Sequence, residues 1–131
     1  MIKRNFVAVD SSSMIAYFQG DKGRDVEMIE QLLEECRLAL PPVVLCELLS
    51  DPKLSKTISH NLSLLPGLEI TQNYWQRVAN IRSKLISKKI KSRLADSMIA
   101  QSCIDYNVAL ISRDKDFKNF EKYFELKLFI F

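Results

Sequence analysis

The stretch of residues 93–117, RLADSMIAQSCIDYNVALISRDKDF, limits the fold more than any other part of the chain. It opens as a helical pattern over 94–105, with one acid, Asp96, set among Leu, Ala, Met and Ile. It then enters a run of apolar residues, 108–112 (VALIS), with no polar alternation. Such a strand is buried on both faces, as in a parallel sheet whose crossover helices cover it. Arg113, Asp114, Lys115 and Asp116 follow directly, so two acids far apart along the chain arrive at one edge of a sheet.

The rest of the chain repeats this alternation. Residues 6–9 (FVAV) form a second strand of the buried kind, ended by Asp10, and Ser11, Ser12 and Ser13 are candidate caps for a helix over 14–18. Val26, Ile29, Leu33 and Cys36 mark one face of a further helix, and 38–40 is a brief apolar strand. Pro41 and Pro42 open a helix over 43–49 that carries Glu47. Leu54, Ile58, Leu62 and Leu65 give another helical face, 68–70 a short strand, 72–90 a long helix, 117–124 a last helix and 128–131 a closing strand. Alternating strands and helices predict an α/β three-layer sandwich around a mainly parallel sheet of about four or five strands. With 131 residues, one domain over 1–131 is expected.

A net charge of +3 is too small to argue for a nucleic-acid partner by itself. Cys36, Cys46 and Cys103 lie far apart without metal-ligand spacing, which argues against a zinc site and for buried, reduced thiols. The basic N-terminus leads into only a short apolar run, too short for a signal peptide or membrane span, so a cytoplasmic protein is expected.

Four acids stand out. Asp10 and Asp114 follow strand runs, and parallel sheets build their sites beyond the carboxyl ends of strands. Glu47 and Asp96 sit within apolar helical stretches, where an ionised carboxylate is costly unless compensated. Gathered on one edge, the four repel one another, and a divalent cation relieves this better than a side chain does. Oxygen ligands without His or Cys suit Mg²⁺ or Mn²⁺, and a cation held this way suits phosphodiester hydrolysis. Asp96 or Asp114 is then the candidate for orienting the attacking water.

VDSSSMIAYF, PPVVLCELL and RLADSMIAQSCIDYNVALISRDKDF together resemble the PIN-domain family, most nearly the VapC-type ribonuclease toxins of toxin–antitoxin pairs. The likeness spans essentially the whole chain. It matches Asp10 with Ser12, Glu47, Asp96 before Ile99 and Ala100, and the turn from Ser112 to Phe117. The chain departs from the family in lacking a glycine shortly before Asp96. The resemblance implies a Mg²⁺- or Mn²⁺-dependent endoribonuclease, often a homodimer, inhibited by an antitoxin. The implied metal ligands are Asp10, Glu47 and Asp96, with Asp114 or Asp116 as the fourth; Asp114 comes first because it directly follows the strand and its neighbour Ser112, and Asp116 is equally suited to capping the helix at 117. Ser12, Ser112, Arg113 and Lys115 are the expected substrate contacts. A non-catalytic RNA- or protein-binding module is the alternative. A phosphohydrolase using an aspartyl nucleophile is disfavoured, because position 12 is Ser where such an enzyme needs a second Asp.

The basic residues Lys84, Lys88, Lys89, Lys91 and Arg93 suit a solvated helix end or an RNA backbone track. Helical spacing assigns Tyr17, Tyr74 and Trp75 to the core, and the lone His60 to the surface.

Overall fold

The computed structural model describes residues 5–130. Residues 1–4 and 131 lie outside the described part, and with them the basic start of the chain and the last residue of the expected closing strand. Among the described residues there are four strands, β1 (Val7–Val9), β2 (Leu38–Ala39), β3 (Ala109–Ser112) and β4 (Leu128–Ile130). Seven α-helices accompany them: α1 (Ser11–Phe18), α2 (Arg24–Glu34), α3 (Pro42–Leu49), α4 (Lys56–Ser63), α5 (Tyr74–Ser87), α6 (Leu94–Tyr106) and α7 (Lys118–Tyr123). The strands form one sheet in the order β2-β1-β3-β4, every pair parallel. Ala8 and Val9 in β1, and Leu110, Ile111 and Ser112 in β3, are all completely buried. Successive strand residues point to opposite faces, so helices cover the sheet on both sides and the sandwich has three layers.

The order places a switch point between β1 and β3: from β1 the chain crosses toward β2, and from β3 it crosses the other way toward β4. Beyond the carboxyl ends of such neighbouring strands the sheet leaves a crevice. Asp10 leaves β1 at that crevice, its amide still bonded to the Ile111 carbonyl at 3.1 Å. Asp114 leaves β3 beside it. Phe117 and Phe120, each 1% exposed, pin the chain after Asp116 into the core. Among the described residues no helix is long and apolar enough to cross a membrane.

Several local expectations change. Residues 68–70 form no strand; a single parallel bridge joins Leu40 to Gly67, and beyond buried Leu68 the exposed Glu69 and Ile70 give the sheet nothing to cover. The long helix starts at Tyr74, because Asn73 takes a left-handed φ of 64°, and ends at Ser87. Trp75 is 53% exposed and points away from the core, while its neighbour Tyr74 is buried and donates its hydroxyl to the Met98 carbonyl. The helix expected to include Cys36 stops at Glu34, with Cys36 itself left-handed at φ 56° and exposed. Cys46 is exposed as well, so only Cys103 is a buried thiol.

Candidate metal centre

The crevice is built by a chain of hydrogen bonds centred on Asp10, which is 4% exposed. One carboxylate oxygen accepts from the Ser12 hydroxyl at 2.8 Å and from the Ser13 amide at 3.2 Å. The other accepts from the Ser112 hydroxyl. Asp10 is therefore itself the cap of α1, and the three serines expected as caps lie inside the helix. The Ser112 hydroxyl in turn accepts from the Asp114 amide at 2.9 Å, and the Ser12 hydroxyl from the Arg113 amide at 3.3 Å. Asp114 continues the series by accepting the Asp116 amide at 2.9 Å, which caps a 3₁₀ turn over Lys115–Phe117. Ser12 and Ser112 thus hold β1, α1 and the acid-bearing turn in one register.

That register brings Asp96, Asp114 and Asp116 together. Each offers a carboxylate oxygen, and the three lie within 4.8 Å of one another. Asp96 comes from the first turn of α6, where the helix dipole favours negative charge. The loop leading to it has no glycine; Lys89 takes the left-handed conformation there, and Arg82 bonded to the Ser92 carbonyl and Ser92 bonded to Ser97 hold it in place. Asp116 does not cap the last helix as one sequence reading had it; Asp114 supplies the cap of the preceding turn, and Asp116 is exposed at the acid cluster.

The electrostatics record the crowding. Burial, then Asp114, push the Asp96 carboxyl up to about 6, with Arg93 opposing and Asp116 and Asp10 adding to the rise. Burial also raises the Asp10 carboxyl against the pull of its three hydrogen bonds. Glu47 stands apart from the tight trio. It is exposed on α3, and its carboxyl is raised by partial burial and then by Asp10, so it borders the crevice on the Asp10 side. Hard oxygen donors at this spacing, with like charges that Arg93 only partly offsets and that no ion pair among the described residues relieves, fit a divalent cation.

Lys115 is exposed beside the trio. Arg113 points elsewhere: its guanidinium is forked onto the two oxygens of Asp25 in α2, with one nitrogen 3.2 Å from the Lys22 carbonyl. The cation that acts on Asp96 is Arg93. Asp25, 1% exposed, was invisible to sequence reasoning because it sits in the first turn of an amphipathic helix, where acids are ordinary.

The Asp96 shift carries a pH consequence in the metal-free protein. A carboxylate whose folded value lies above its unfolded value of 3.8 costs stability as pH rises from about 4 to about 6, and the cost is constant above that. The unscreened shift is worth about 3 kcal/mol; for a group this open to solvent, screening leaves on the order of 1 kcal/mol. Denaturation of metal-free wild type and Asp96→Asn across pH 4–7 should show the variant gaining relative stability through that window.

A parallel, doubly covered sheet with a carboxylate cluster at its switch point defines an acid-lined α/β domain. The comparisons make this specific: the PIN domain family model matches residues 7–123, and the chain belongs to the PIN-domain family. No curated protein sequence matches it. Among solved structures, VapBC2 from Rickettsia felis bound to a DNA fragment from its promoter aligns with a TM-score of 0.73 at 18% identity, covering 96% of this chain and 98% of that one. DNA-bound VapBC from Salmonella typhimurium gives a TM-score of 0.73 at 16% identity, covering 96% and 98%. A toxin–antitoxin complex from Klebsiella pneumoniae gives 0.61 at 23% identity, covering 85% and 89%. At these identities the likeness is one of fold.

Proposed function

We propose that this chain is a divalent-metal-dependent endoribonuclease that cleaves RNA phosphodiester bonds and acts as the toxin of a toxin–antitoxin pair. The observation that carries the proposal is the convergence of Asp96, Asp114 and Asp116 beside a buried, hydroxyl-anchored Asp10. In this reading Asp96, Asp114 and Asp116 hold Mg²⁺, with Mn²⁺ able to replace it, and Asp10 and Glu47 complete the acidic surround. When bound, the cation supplies Lewis-acid polarisation of a phosphate oxygen. The chain's own residues do the rest. Ser12 and Ser112 keep Asp10 and Asp114 in fixed orientation, which limits the reorganisation needed as charge develops. Asp96 or Asp114 accepts a proton from the attacking water as its oxygen bonds to phosphorus, and the leaving ribose oxygen, its bond to phosphorus broken, takes a proton from solvent. Lys115 and Arg93, exposed beside the acids, would meet RNA phosphates in this reading.

The solved VapBC and toxin–antitoxin complexes that share the fold support an antitoxin partner; a homodimer acting on cytoplasmic RNA is a further part of the proposal. The test is cleavage of a labelled single-stranded RNA by purified protein. Cleavage should require Mg²⁺ or Mn²⁺, stop with EDTA and return on adding the metal back; cleavage unaffected by EDTA would overturn the reading.

A further inference from the structure

The turn that carries Asp114 and Asp116 is held from outside the acid cluster. Arg113 immediately precedes Asp114 and projects away from it, across to the start of α2, where its Nη2 lies 3.0 Å from Oδ1 of Asp25 and its Nε bonds Oδ2. Asp25 is fully withdrawn from solvent, and a buried carboxylate demands a partner. The two planar groups meet as a fork, which fixes direction as well as distance. Gly23 makes the approach feasible: at its φ of 154°, an added Cβ would stand 2.6 Å from Oδ1 of Asp25 and 3.0 Å from Nη2 of Arg113.

We infer that Gly23, Asp25 and Arg113 form a clamp that positions the acid-bearing turn for metal binding, so that Asp25 and Arg113 are positioning residues of the centre. The inference rests on the metal reading above. Its geometry is simple: Ser112 faces Asp10, Arg113 faces α2 and Asp114 faces the acids. Fixing the middle side chain of the three sets the direction in which the chain leaves β3. Losing the fork lets the turn rotate, and the oxygens of Asp114 and Asp116 then lose their spacing to Asp96.

The experiment is calorimetric titration of the metal-free full-length chain with MnCl₂, with circular dichroism to confirm folding at the temperature used. Wild type is compared with Asp25→Asn, Arg113→Lys and Asp105→Asn. The last perturbs a second forked pair, Arg77 with Asp105, remote from the crevice, and serves as a control for stability loss alone. Outer partners of metal ligands are typically worth about 10–100-fold in affinity. Asp25→Asn and Arg113→Lys should therefore weaken Mn²⁺ about tenfold or more while Asp105→Asn binds as wild type does. If Asp25→Asn fails to fold, Arg113→Lys, which keeps the charge and loses the fork, decides alone. Wild-type affinity in the folded clamp variants would overturn the clamp and leave the metal reading standing; no Mn²⁺ binding by wild type would overturn the metal reading itself.

Discussion

Asp96→Asn should lower the proposed metal-dependent RNA cleavage by about a hundredfold or more. Asn matches Asp in size and leaves the apolar packing around α6 intact, but removes the charge that a hard divalent cation needs. In kcat/KM the loss appears mostly in kcat if the RNA is held by phosphate contacts elsewhere, because the missing interaction then belongs to the transition state. The direction of the stability change makes the test clean. Above pH 6 the metal-free variant no longer carries a carboxylate held at a raised value by burial and by Asp114, so it is the more stable protein. An inactive enzyme that has also unfolded is a different outcome. Stability held below its optimum at a site of this kind is the usual trade between folding and function.

The second large effect belongs to the core behind the acids. Phe117 is 1% exposed, packs against Phe120 at a ring-centroid distance of 6.0 Å and ends the turn that holds Asp116. Phe117→Ala should cost about 3–5 kcal/mol, the range for deleting a buried aromatic side chain. Thermal or chemical denaturation measures this directly. Trp75→Ala, at a site 53% exposed, supplies the contrast: an exposed ring loses little on removal, and a cost below about 1 kcal/mol is expected. Equal costs at the two positions would show that the turn is not anchored as described.

Much of this architecture was legible because its signals are local. The unbroken apolar runs at 6–9 and 108–112 announced strands buried on both faces, and each is followed at once by the acid that reaches the crevice. What stayed hidden depends on contacts between distant segments. Along the chain Asp114 came ahead of Asp116 as a ligand because it directly follows a strand; only the folded turn shows that one oxygen of Asp114 is used as a cap and that both acids face Asp96. Arg113 looked like a substrate contact because its partner lies 88 residues earlier in the sequence. Helical periodicity put Trp75 in the core, yet the helix turned out to offer Tyr74, Val78, Ile81 and Leu85 as its buried face. Cys103 is buried as expected, whereas Cys36 and Cys46 are exposed: apolar neighbours in sequence say little about the face a residue takes, and Cys36 sits just beyond a helix end.

The most direct test of the central claim is anomalous diffraction from crystals of the protein soaked in MnCl₂, with data collected near the manganese edge. A manganese peak coordinated by Asp96, Asp114 and Asp116, on the crevice side of Asp10, is the predicted result. Density that is absent from the crevice at millimolar Mn²⁺, or that lies only at sites away from these three carboxylates, would contradict it.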